Sequence, residues 1–159
     1  MFTGAEIVAV FSDLGISHVV WVPDSATGQW EEALDASPIS LIRVCREGEA
    51  WPLAAGLHLG GRTPLVIMQT TGLFESGDAL RNVLFDMHLP IFSLIGVRNG
   101  SVRQSGDSAK VFAYPILRAW GIDCRWIMSP DDKPMLAEHY RNCRQAGRPG
   151  AALLAEGAM

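Results

Sequence analysis

The sequence predicts a three-layer α/β fold: a mostly parallel, six-stranded sheet with helices on both faces. Three observations predict it. Short apolar, β-branched runs recur, such as His18-Val19-Val20-Trp21-Val22 and Leu65-Val66-Ile67-Met68-Gln69, and continuous runs of this kind mark strands buried on both faces. Segments of helical periodicity separate them, and that alternation is how a parallel sheet acquires its crossover helices. The 159 residues, 48% of them hydrophobic, suffice for one full core and fall short of two ordinary ones. Residues 1–159 are therefore expected to form a single domain.

The elements follow in order. Thr3 and Glu6 have the spacing of a capping box, and Ile7, Val8, Val10, Phe11 and Leu14 follow at helical intervals. Gly15 ends that helix, and His18 to Val22 is the first strand. Pro23-Asp24-Ser25 turns the chain into a helix from Thr27 through Leu34. Ser40 to Val44 is the second strand, and a helix opens at Glu47 and runs through the small, apolar stretch Ala50 to Gly56. Leu65 to Gln69 is the third strand, followed by a small-residue loop, Thr70-Thr71-Gly72, and a helix from Asp78 to Met87. Pro90 to Ile95 is the fourth strand. Ser101 to Ser108 is polar, lacks periodicity and is read as a mobile loop. A helix from Lys110 to Trp120 leads to the fifth strand, Ile122 to Ile127. Ser129-Pro130-Asp131-Asp132 is a strong helix start, and Ala151 to Ala155 is the last strand.

Charge narrows the function. Charged residues make up only 19% and the net charge is −4, without the basic run that a nucleic-acid surface needs. So few charges suggest that a partner subunit covers part of the surface. The three cysteines, Cys45, Cys124 and Cys143, form no CxxC pair, which speaks against a disulfide framework or zinc site and for a reducing cytoplasm. Met1 to Glu6 has no basic segment leading into an apolar one, so no signal peptide is expected. No apolar run approaches the ~20 residues of a spanning helix.

In parallel α/β sheets, ligands bind beyond the carboxyl ends of the strands. Small and polar residues gather at four such ends: Pro23-Asp24-Ser25, Arg46-Glu47-Gly48-Glu49, Gln69-Thr70-Thr71-Gly72, and Gly96 to Gly100. Glu47 and Glu49 are both explained, taken alone, by the favourable dipole at a helix start, worth ~0.3–1 kcal/mol each. The apolar character of their helix argues for burial and a chemical role for one of them. Asp24 and Ser25 suit a turn and a cap. Arg98 is either solvated or a clamp for an anionic substrate group. His18 and His58 read as packing residues, and His139, in a polar helix, as exposed. Gly106-Asp107-Ser108 only faintly suggests a metal motif, and no metal ligand set is assigned. GxGxxG, Walker A and G-x-S-x-G motifs are absent.

The motifs V-P-D-S, R-E-G-E-A-x-x-x-A-A-G, M-Q-T-T-G-L and L-I-G-x-R, in this order from about Ile7 to Leu154, resemble the pyrimidine-binding (Pyr) domain of thiamine diphosphate enzymes. Within that group the sequence is similar to sulfopyruvate decarboxylase alpha subunits and phosphonopyruvate decarboxylases. The resemblance implies the Pyr type of thiamine diphosphate-binding fold. It also implies that Glu47, nine residues before Gly56, is the catalytic, cofactor-binding carboxyl that shares a proton with N1′ of the aminopyrimidine. Thr70, Thr71, Gly72 and Leu73 match the loop at the pyrimidine ring. Ser25, with Asp24 and Arg98, matches the substrate side, and Glu49 receives no catalytic role.

The sequence departs from the family where Thr70, Thr71, Phe74 and Glu75 replace N, S, G and N. It departs again at Val97-Arg98-Asn99-Gly100, where H-R-G or W-R-G is usual. Glu75 facing the pocket would disfavour a doubly anionic substrate. The family's G-D-G motif with a downstream asparagine pair, which holds Mg²⁺ and the diphosphate, has no counterpart. The resemblance therefore implies a heteromeric decarboxylase of short acidic 2-oxo acids, with thiamine diphosphate bridging this chain and a beta subunit that holds the Mg²⁺. A carboligase of the same family, a non-catalytic Pyr-like subunit and an unrelated nucleotide-binding domain are the alternatives.

Overall fold

The computed structural model describes residues 1–25 and 27–157. Its strands are β1 (His18–Trp21), β2 (Ser40–Arg43), β3 (Pro64–Gln69), β4 (Phe92–Val97), β5 (Asp123–Ile127) and β6 (Gly150–Ala155). They pair in parallel throughout, in the order β2-β1-β3-β4-β6-β5. The chain leaves β1 for β2 on one side and returns to β3 on the other. That reversal opens a crevice at the carboxyl ends of β1 and β3, the usual place for a ligand in such sheets.

The helices are α1 (Gly4–Asp13), α2 (Glu31–Asp35), α3 (Glu47–Leu59), α4 (Thr70–Glu75), α5 (Gly77–Arg81), α6 (Ser108–Ala119) and α7 (Lys133–Gln145). Strand side chains alternate between two apolar layers. Leu65 and Ile67 pack with Ile7, Phe11, Leu34 and Tyr140 on the layer of α1, α2 and α7. Val66 and Met68 pack with Trp51, Ala54, Leu80 and Leu117 on the layer of α3, α5 and α6. The three-layer expectation from the sequence is met, and every strand is parallel.

Local chemistry sets the helix ends. The Thr3–Glu6 capping box forms, with the Thr3 N–H donating to Glu6 at 2.8 Å and the Glu6 N–H to Thr3 Oγ1 at 3.2 Å. Gly15, at φ +68°, takes the left-handed conformation beyond the end of α1.

Four expectations change. Thr70, Thr71 and Gly72 are not a loop: β3 passes directly into α4, whose first turn they form. The helix expected from Asp78 to Met87 is present as α5, which starts at Gly77 after a break from α4 at Ser76 and continues into a π-helical turn at Asn82–Asp86. His139 is buried, not exposed. Its ring stands edge-on to Phe92 at 5.4 Å, with Nε2 3.2 Å from the Asp123 carbonyl. The loop after β4 is anchored at both ends. Ser101 donates its N–H (3.0 Å) and its hydroxyl (2.9 Å) to the Glu156 carbonyl, and Asp107 at the far end caps α6 through the Ala109 N–H at 3.0 Å. Finally, α3 buries Ala50, Trp51, Ala54 and Ala55 but leaves Pro52, Leu53 and Leu59 exposed, so it is not a fully buried helix.

Candidate functional site at the carboxyl edge of the sheet

The site begins at the start of α3. Trp51 is fully buried, and its indole N–H donates to the buried Ser76 hydroxyl at 2.9 Å. Burial of an aromatic of this size contributes about 4 kcal/mol, so the amino end of α3 is firmly seated on the turn between α4 and α5. Glu49 closes the helix start by accepting the N–H groups of Cys45 (3.0 Å) and Arg46 (3.3 Å). Glu75 accepts the Gly48 N–H at 3.0 Å and binds the Arg46 guanidinium, whose Nε lies 3.1 Å away. The Arg46 charge and the Gly48 N–H hold the Glu75 carboxyl below its ordinary range. Glu75 is thus spent on its own helix junction, with its charge matched by Arg46.

Every carboxylate at this junction except one has a protein donor. Glu47 is half-buried and accepts no hydrogen bond from any described residue. Its side chain lies against Gly72, where a Cβ would run into Glu47 Cγ, Cδ and Oε1. Gly72 is therefore required by the position of Glu47 and not by its own backbone, which is helical. The pair makes a half-buried carboxyl, seated by the fold and left open for a donor from outside the chain.

The other predicted residues divide. Asp24, Ser25, Thr70, Thr71 and Arg98 line one small cavity at the carboxyl ends of β1, β3 and β4. Within it, Asp24 accepts the Thr27 N–H (2.8 Å) and hydroxyl (2.7 Å) and so shapes the turn after β1. Ser25 and Thr71 are exposed at the mouth. Thr70 is buried and donates its hydroxyl to the Gly96 carbonyl at 3.0 Å, tying α4 to β4. Leu73 is fully buried in the core. These two are packing residues by position. Arg98 is exposed but engaged. It forms a two-pronged pair with Asp107, Nε to Oδ2 at 2.7 Å and Nη2 to Oδ1 at 3.2 Å, and Asn99 adds a third donor at 2.9 Å. Those donors push the Asp107 carboxyl far below its usual range.

One residue of the cavity escaped the sequence reading. Glu156 follows β6 and completes the lining. Its Oε1 is buried with no hydrogen-bond partner, in space left free by the missing side chain of Gly96. Burial and the nearby Asp24 charge push its carboxyl up to about 7, against the opposing pull of Arg98. The signal was a carboxylate directly after the final strand, beside a glycine on the neighbouring strand β4.

No helix among the described residues is long and apolar enough to cross a membrane. No family model matches the chain. Curated proteins do. The sulfopyruvate decarboxylase subunit alpha of Methanothermobacter thermautotrophicus is 34% identical over 93 residues, covering 58% of this chain and 56% of that protein. The phosphonopyruvate decarboxylase of Streptomyces hygroscopicus is 25% identical over 148 residues, covering 92% of this chain and 37% of that protein. That of Streptomyces viridochromogenes is 27% identical over 150 residues, again 37% of its length. The chain thus spans about half the length of the first relative and little more than a third of the other two. By motif order and by these relatives, it is similar to sulfopyruvate decarboxylase alpha subunits and phosphonopyruvate decarboxylases.

Proposed function

We propose that this chain is the pyrimidine-binding subunit of a thiamine diphosphate-dependent decarboxylase acting on a short acidic 2-oxo acid of the sulfopyruvate or phosphonopyruvate type. The observation that carries the reading is the Glu47–Gly72 pair, a carboxyl seated by the fold, unclaimed by any described donor and facing a helix turn stripped of its side chain. Such a carboxyl suits a cofactor ring nitrogen, and the relatives carry the matching names. When bound, thiamine diphosphate supplies the carbon nucleophile that attacks the 2-oxo group and the electron sink that takes up the pair left by carbon dioxide.

The chain's own residues do the rest. Glu47 holds and returns the proton at N1′ of the pyrimidine, a role typically worth ~10²–10⁴ in rate. Gly72 gives it room, and Thr71 borders the ring side. Asp24, Ser25 and Arg98 shape the substrate end, where Arg98, held by Asp107, presents a fixed positive edge rather than a free clamp. Glu49 and Glu75 keep the start of α3 in place and take no part in the chemistry.

The diphosphate and its Mg²⁺ are assigned to a separate beta subunit carrying G-D-G and an asparagine pair, in a cytoplasmic hetero-oligomer. The alpha-subunit name of one relative supports this. The test is carbon dioxide release from pyruvate, sulfopyruvate and phosphonopyruvate, with and without such a partner. Turnover of an acidic 2-oxo acid only in the two-chain mixture is expected. Robust turnover by this chain alone, or carboligation without decarboxylation, refutes the reading.

A further inference from the structure

The cavity at the carboxyl edge holds a group that the proposed reaction does not use. Glu156 sits in it with one carboxyl oxygen buried and unpartnered. Its backbone is fixed from both sides: its N–H donates to the Val97 carbonyl at 3.0 Å, and its carbonyl accepts the Ser101 N–H and hydroxyl. The side chain cannot leave without abandoning the space over Gly96.

The charged groups facing it are few. Asp24 comes from the turn after β1 and Arg98 from the end of β4, and Arg98 is already matched by Asp107. The lining from β3, α4 and α6 is uncharged: Gln69, Thr70, Thr71 and Ala109. An ionised Glu156 would leave two carboxylates in one cavity with a single, already engaged guanidinium. A neutral Glu156 instead offers an O–H donor. The cavity is about 50 Å³, room for a few waters at ~10–15 Å³ each, which is the scale of a ligand's carboxylate group.

We infer that Glu156 is a specificity-determining residue, whose carboxyl, in its acid form, donates a hydrogen bond to the carboxylate of a bound 2-oxo acid. The inference rests on the reading that this cavity is the substrate end of the site. It makes ligand binding proton-linked. Burial and Asp24 raise the Glu156 carboxyl to about 7, so the donor is present below that pH and withdrawn above it. An anion that needs the acid form then binds about tenfold more weakly for each pH unit above the midpoint.

The test follows the carboxyl carbon of Glu156 by NMR in the full chain, with pyruvate as the probe and the resonance assigned through its absence in Glu156→Gln. The expected result is a midpoint near neutrality that moves upward as pyruvate is added. In the two-chain enzyme, KM for the 2-oxo acid should rise about tenfold per pH unit above 7. In Glu156→Gln, which keeps an N–H donor that does not titrate, that rise should vanish. A midpoint in the ordinary carboxylate range, a midpoint that pyruvate leaves unmoved, or an unchanged KM profile in Glu156→Gln overturns the inference. Turnover with an ordinary Glu156 titration would sink this inference and leave the decarboxylase reading standing. A pyruvate-linked Glu156 without turnover would do the reverse.

Discussion

Replacing Gly72 by alanine probes the seat of Glu47 without touching Glu47. The new methyl would fall on Glu47 Cγ, Cδ and Oε1, where carbon atoms normally keep about 3.5–4 Å apart. The required shift of the carboxylate is therefore on the order of 1 Å or more. Glu47 is half-buried and accepts no hydrogen bond from any described residue, so it can turn away from its seat over Gly72 without breaking one. Gly72 is helical, and alanine is favoured over glycine there by about 0.5–1 kcal/mol. The two effects nearly cancel, and stability should change by less than about 1 kcal/mol. On the role proposed for Glu47, activity should not be spared, because a displacement of that size at a reacting group costs roughly 10²-fold. The assay is carbon dioxide release by the proposed two-chain enzyme, with thermal melting of the same preparation. A Gly72→Ala enzyme within about threefold of wild type would show that the position of Glu47 against α4 does not matter. A large fall in melting temperature would show that Glu47 cannot yield. Either result refutes the reasoning.

Two further predictions concern the frame of the site. Ser76→Ala leaves the buried Trp51 N–H without its 2.9 Å acceptor and should cost about 1–3 kcal/mol, at roughly 2–4 °C in melting temperature per kcal/mol; an unchanged melt would mean that the bond contributes nothing. Glu6, paired with Lys133 at 2.7 Å and bonded to the Thr3 N–H, has its carboxyl held down to about 2 from an ordinary 4.5. Its stabilising effect is complete above about 4.5 and fades as pH falls toward about 2. The melting deficit of Glu6→Gln should therefore be full at neutral pH and shrink below pH 4.5, and a pH-independent deficit would contradict this.

The sequence made the frame legible wherever a local rule was also the global answer. The buried strands showed as apolar runs, and Thr3 with Glu6 announced the first helix because capping is a matter of a few neighbouring atoms. The Thr70–Gly72 turn was misread because β3 runs into α4 without a proline or a glycine break. Asp78 does lie in the first turn of a helix, α5, which starts at Gly77 after the break at Ser76. His139 was misplaced because its helix is polar by composition, while its own position faces Phe92 and Cys143.

At the site, residues of three of the four strand-end motifs line or border one cavity at the carboxyl edge of the sheet. What they lacked were partners distant in sequence. Arg98 is settled by Asp107, Glu75 by Arg46, and Glu156 by a glycine on another strand. No periodicity records such pairings, since they exist only once the sheet has assembled.

The central claim is that the two glutamates at the start of α3 do different work. Glu49 is bonded to the N–H groups of Cys45 and Arg46, and Glu47 is bonded to no described residue. The most direct measurement is therefore turnover by Glu47→Gln and Glu49→Gln in the thiamine diphosphate-loaded two-chain enzyme. The account predicts a loss of ~10²-fold or more for Glu47→Gln, with melting unchanged. For Glu49→Gln it predicts a near-normal rate with a lowered melting temperature. Equal losses in the two variants, or a Glu47→Gln enzyme as fast as wild type, would contradict it.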